Sequence, residues 1–159
     1  MAAKISPGCD NLIFTPWLNG ERSPVDDSDT RSGFYNMSLY TTRSHMVRAV
    51  FEGVAFNAKW LLKYVEKMIK KKMENINIIG GGAQSDLWCQ IHADILNRTI
   101  RRVKDPIQAN ARGAGLIGSV ALGYIKFDEI PKRTEYDSIF KPSQKNRKIY
   151  KKLFKQYQS

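Results

Sequence analysis

The sequence predicts an α/β fold with a partly parallel sheet, incomplete within these 159 residues. Three observations lead there. Ile76, Asn77, Ile78 and Ile79 run into Gly80, Gly81, Gly82 and Ala83, and an apolar-periodic stretch follows from Ser85, so the segment reads as strand, glycine turn, helix. A second strand and helix follow, which is the alternation of a parallel α/β layer. Ahead of both lies a long helical pattern over residues 43–72. A complete sheet needs more strands than this order supplies, so the chain reads as part of a larger fold.

Residues 1–41 are expected to be loops with short strands. The stretch contains Asn19-Gly20, Ser23-Pro24 and Asp26-Asp27-Ser28-Asp29 between the apolar pieces Leu12-Ile13-Phe14 and Phe34-Tyr35. So long an opening with little structure points to a packing partner elsewhere. Residues 42–159 are expected to be helices with short strands. In the helix over 43–72, Val47, Val50, Val54, Ala58, Leu61, Val65 and Ile69 recur at three- and four-residue steps, Thr42 can cap its start, and Gly53 and Ala55 admit a close neighbour. Glu52 is expected to be a solvated carboxylate or an interface residue.

After the glycine turn a helix is predicted over 85–97, with Asn97 as a left-handed C-cap. A strand then covers 99–103, and a small-residue helix over 110–123 ends at Gly123. Residues 128–142 read as connecting loop. A last helix over 144–157 has Ile149, Tyr150, Leu153 and Phe154 on one side and lysines on the other.

With 42% hydrophobic and 11% aromatic residues, the chain has material for one substantial core, so one domain is expected. No run of about 18 apolar residues occurs, and the first residues lack the apolar segment of a secretory signal. A soluble cytoplasmic protein with no membrane association is expected. Cys9 and Cys89 are the only cysteines and lack the spacing of a disulfide framework or zinc site. The formal charge of +11 raises the question of a polyanionic partner. Its placement argues against nucleic acid, because much of it lies in Lys70-Lys71-Lys72 at a helix end and on the polar side of the last helix.

The glycine turn admits two readings, a close approach of backbone to a ligand or a structural tight turn. It has neither the Lys-Ser/Thr of a P-loop nor Rossmann glycine spacing. Asp86 could cap the helix or meet a ribose hydroxyl. His45 and His92 read as hydrogen-bonded structural histidines, and Asp94 as a packing or helix-end partner. Glu21 and Arg22 could form a buried ion pair that orders their loop, or touch an anionic substrate. Trp17, Trp60 and Trp88 are expected to anchor the core or an interface.

Four blocks, in order, resemble the C-terminal part of the FGGY family of carbohydrate kinases, with a xylulokinase flavour. The first is Ser6-Pro7-Gly8 with Leu12-Ile13-Phe14-Thr15-Pro16-Trp17-Leu18-Asn19-Gly20-Glu21-Arg22-Ser23-Pro24; the second is Arg48-Ala49-Val50-Phe51-Glu52-Gly53-Val54-Ala55-Phe56. Gly80-Gly81-Gly82-Ala83 with Ala93-Asp94 is the third, and Ala111-Arg112-Gly113-Ala114 the fourth.

The resemblance implies a ribonuclease-H-like, actin-like ATPase domain. In such kinases two domains enclose a cleft where a sugar hydroxyl attacks the γ-phosphate of ATP with Mg2+. It implies a nucleotide shelf at Gly81, Gly82 and Ala83, with Gln84 and Asp86 as polar neighbours. The catalytic aspartate, the sugar contacts and the Asp-x-Gly-Thr phosphate motif are expected in a preceding N-terminal part, so no catalytic residue and no metal ligand is assigned here. The expected whole is a ketopentose kinase acting on a sugar such as xylulose, with gluconate and glycerol less favoured; the alternative is a non-catalytic half-kinase module that binds nucleotide or a partner. Association into a homodimer stays open.

Overall fold

The computed structural model describes residues 1–158. Its elements are β1 (Ile13–Thr15), β2 (Gly33–Tyr35), α1 (Arg43–Met68), β3 (Asn75–Ile78), α2 (Asp86–Leu96), β4 (Thr99–Val103), α3 (Ala109–Ala121), β5 (Tyr136–Phe140) and α4 (Arg147–Tyr157). β1 and β2 form an antiparallel pair; β3 and β4 run parallel with Ile76 opposite Ile100, and β5 joins β4 antiparallel. Both sheet pieces back onto one core, in which Ile13, Ile76, Ile78 and Ile100 meet α1, α2 and α4.

α4 shows how the pattern becomes packing. Tyr150, Leu153, Phe154 and Tyr157 fall on one face and are buried, while Lys148, Lys151, Lys152 and Lys155 are exposed. Much of the basic charge of the tail is therefore the wet side of an amphipathic helix. Phe56 of α1 sits among Tyr150, Phe154 and Tyr157 at ring separations of 6.1, 6.2 and 5.5 Å. Its burial stabilises the fold by about 1.5–3 kcal/mol.

α1 ends at Met68 rather than continuing to residue 72, because Lys70 takes a left-handed conformation with φ 50°. The expected loop over 128–142 holds a 3-10 segment (Phe127–Arg133) and the strand β5, whose Tyr136, Ser138 and Phe140 are half-buried while Asp137 and Ile139 point outward. The last α-helix starts at Arg147, after a 3-10 turn over Gln144–Asn146. The small-residue helix α3 buries none of its side chains, and a Cβ on Gly113, Gly115 or Gly118 would meet nothing within 4 Å. Among the described residues, the surface that would cover this helix is not supplied.

Glu52 is a correction of a different kind, since it is 1% exposed rather than solvated. Its Oε1 accepts hydrogen bonds from Arg48 Nε at 2.7 Å, Tyr150 OH at 2.8 Å and the Gly8 amide at 3.1 Å. Arg48 in turn donates to the Ile5 carbonyl at 2.8 Å and the Tyr150 hydroxyl at 3.2 Å. Burial pushes the Glu52 carboxyl above its usual range and outweighs the opposing pull of Arg48 and the other donors. Its Oε2 is buried without a partner among the described residues.

Gly53, the next residue, has no room for a side chain, because a Cβ would strike the carbonyl oxygen of Phe14 in β1. Gly53→Ala should therefore lower unfolding stability by roughly 1–3 kcal/mol in urea titration. Glu52→Ala, which strands the buried Arg48 charge, should cost roughly 3–5 kcal/mol, whereas Arg48→Met combined with Glu52→Leu should cost less than Glu52→Ala alone. A double variant as unstable as the single one would remove charge stranding as the cause.

Candidate functional site

The glycine turn leaves the end of β3 and enters α2. Gly80 has φ 86°, the left-handed side of the map that favours glycine, and its amide donates to the Pro106 carbonyl at 2.8 Å. Residues Gly81–Gln84 then form one 3-10 turn whose first bond is from the Ala83 amide to the Gly80 carbonyl. The Gly81 and Gly82 amides precede that bond and have no acceptor within the turn. Ser85, not Asp86, caps α2, with its Oγ accepting from the Trp88 amide at 3.3 Å.

The predicted site residues fall on different sides of this turn. Gly81 and Gln84 are exposed, Gly82 is half-buried and Ala83 is fully buried. A Cβ on Gly80 or Gly81 would meet nothing within 4 Å, while one on Gly82 would run into the Trp88 ring. That ring cannot easily yield. It stacks on Phe51 at 5.0 Å, and its Nε1 donates to the Phe51 carbonyl at 3.2 Å. Asp86 is exposed, with Oδ1 accepting from Arg102 Nη1 at 2.6 Å.

Arg102 was not foreseen. Its guanidinium donates to Asp86 and Asp137 at 2.6 Å each and to Ser138 Oγ at 2.7 Å, and these carboxylates hold its pKa above the ordinary arginine value. It ties the start of α2 to β5, the strand that had been read as loop. Pro106 was also missed. It opens the short turn (Pro106–Gln108) before α3, and so brings the block that contains Arg112 up to the glycine turn. Arg112 itself donates to the Lys104 carbonyl at 2.6 Å.

The other candidates are structural. His92 Nδ1 lies 2.9 Å from the Trp88 carbonyl oxygen, and burial lowers its pKa. His45 meets Thr42 and Asp10. Asp94 is buried and accepts from the Ser143 amide, Gln90 and Asn146 at 2.8, 2.8 and 2.6 Å. Glu21 and Arg22 do not form an ion pair: Oε1 of Glu21 accepts from the Arg22 and Ser23 amides, and Oε2 from Asn57. Cys9 and Cys89 are free and buried, and burial pushes the Cys9 thiol up to about 12, so it is no nucleophile near neutral pH. Among the described residues no three His, Cys, Asp or Glu side chains gather to hold a metal, and no helix is long and apolar enough to cross a membrane.

The architecture is that of an α/β domain with a glycine turn open on one side. The family model for the C-terminal domain of the FGGY family of carbohydrate kinases matches residues 1–122. The xylulose kinase of Staphylococcus epidermidis is 32% identical over 161 residues, which cover 100% of this chain and 32% of that protein. The gluconokinase of Bacillus licheniformis is 30% identical across 96% of this chain and 30% of its own length. Among solved structures, ligand-bound xylulose kinase from Lactobacillus acidophilus superposes with a TM-score of 0.84 at 34% identity, over 98% of this chain and 32% of that one. The chain belongs to the FGGY family of carbohydrate kinases, as its C-terminal domain, and spans about a third of the length of the curated relatives it matches.

Two neighbouring glycines separate packing from access. Gly82→Ala should destabilise the fold by about 1–3 kcal/mol through Trp88, whereas Gly81→Ala should change stability by less than about 0.5 kcal/mol. Thermal or urea unfolding of both variants checks this, and equal losses would contradict the assignment of Gly82 alone to packing.

Proposed function

We propose that this chain is the nucleotide-binding part of an ATP-dependent sugar kinase whose acceptor is a ketopentose such as xylulose. The observation that carries the reading is the bare face of the glycine turn. At Gly80 and Gly81 nothing lies within 4 Å of where a side chain would begin, so a flat ligand can rest on backbone there. In this reading Gly81 and Gly82 present their backbone to the adenosine. Ala83 fills the space beneath, and Gln84 and Asp86 are its polar neighbours, Asp86 being oriented by Arg102. When bound, ATP supplies the transferable γ-phosphoryl group. Among the described residues no three His, Cys, Asp or Glu side chains gather to hold a metal, and no step of this account runs through Mg2+.

Phosphoryl transfer also needs a group that takes the proton from the attacking hydroxyl. The family resemblance implies that this group lies in a preceding N-terminal part, within the two-thirds of the relatives' length that this chain does not span. The choice of a ketopentose rests on the xylulose kinases among the relatives. A sugar acid such as gluconate is the competing acceptor.

Equilibrium dialysis with ADP tests the nucleotide half of this proposal. The chain should bind ADP saturably, and Gly81→Leu should weaken binding roughly tenfold or more while leaving the melting temperature unchanged, a loss of about 1.4 kcal/mol. Binding that is indifferent to Gly81→Leu would refute the placement of the nucleotide. The chain alone should transfer no phosphate to xylulose, and turnover at enzyme-like rates would contradict the division of labour.

A further inference from the structure

A second concavity lies towards the other end of α1. Phe51 touches Trp88 beside the glycine turn, and Trp60 stands nine residues further along the helix, about 14 Å away at 1.5 Å per residue. There a cavity of about 720 Å³ is lined by Trp17, Trp60 and Tyr157 together with Glu21, Asp27 and Thr30. Its size suits a small molecule.

The aromatic side is held from behind. Asn57 Oδ1 accepts from Trp17 Nε1 and from the Tyr157 hydroxyl at 3.3 Å each, and Asn57 Nδ2 donates to Glu21 Oε2 at 2.9 Å. One amide thus fixes the polar edges of two rings and one carboxylate. The three rings stand 5.6 to 6.4 Å apart at steep mutual angles, so they form a preset aromatic wall rather than a stack closed on itself.

The same lining carries negative charge without a counterion. Glu21 is held by the amides of Arg22 and Ser23 and by Asn57, and Asp27 Oδ1 by the amides of Asp29 and Thr30. All of these donors are neutral. None of the ion pairs of the described residues includes Glu21 or Asp27. Arg31, close by in sequence, directs its guanidinium to the carbonyls of Ser28 and Thr30, and no Lys, Arg or His lines the cavity. In a chain of formal charge +11, this is a local reversal of sign.

Aromatic faces beside uncompensated carboxylates attract cations, and such carboxylates repel phosphate esters. We propose that this cavity binds a small organic cation, with an ammonium or guanidinium group placed between the Trp17, Trp60 and Tyr157 rings and the Glu21 and Asp27 carboxylates. The site is separate from the glycine turn and does not depend on the nucleotide reading.

Titration of the chain with agmatine, followed by the NMR signals of the indole N–H groups, tests this. Agmatine should shift the Trp17 and Trp60 signals saturably and leave Trp88 unmoved, and added salt should weaken binding. Xylitol and inorganic phosphate should produce no saturable shift at the same concentrations. Asp27→Asn keeps an oxygen for the Asp29 and Thr30 amides while removing charge, and should weaken agmatine binding roughly fivefold. Trp60→Phe, which keeps a ring in place, should weaken it less than Trp60→Leu. An absent agmatine response, an equal response to xylitol, or unchanged affinity in Asp27→Asn would each overturn the proposal.

Discussion

Three consecutive residues of α1 hold the rest of the molecule in place, and the buried Glu52 carboxylate is the most demanding of them. A charge taken out of water is tolerated only when donors surround it. Glu52 draws those donors from three places, two of them distant in sequence: Gly8 near one terminus, Arg48 one helical turn back, and Tyr150 near the other terminus. Phe51 and Gly53 on either side complete the junction, the first by stacking on Trp88 below the glycine turn and the second by letting β1 reach helix backbone. The opening segment, β1, α2 and α4 are thus all referred to one stretch of helix.

The four sequence blocks that carry the family resemblance are, in space, partners of one another. Gly8 of the first donates to Glu52 of the second, and Glu21 of the first bonds Asn57 just past the second. Gly80 of the third is held by Pro106, which leads into the helix that bears the fourth. What remains outside this web is the surface from α3 onward, where Ile117, Leu122, Tyr124 and Phe127 are 65–78% exposed.

The parts of the fold with strong periodicity were legible in the sequence: α1, α2 with its left-handed Asn97, β4, and the amphipathic α4. β5 was not, although Tyr136, Ser138 and Phe140 alternate with Asp137 and Ile139, because the charged and turn-forming residues around it carry the signature of a loop. Glu52 was misjudged because its burial depends on Gly8 and Tyr150, 44 and 98 residues away in sequence. Within the candidate site the turn itself could be read directly, but Arg102 could not, since its partners lie on α2 and on the unrecognised strand. That Gly82 differs from Gly81 emerged only once Trp88 had a position.

The central claim is that this frame presents the bare side of the glycine turn to a nucleotide. Mapping backbone amide shifts across the chain as ADP is added tests it most directly. The account predicts that the largest changes fall at Gly80, Gly81, Gly82 and Gln84, with little change at Trp17 and Trp60. Saturable changes that leave the turn untouched and gather elsewhere would contradict it.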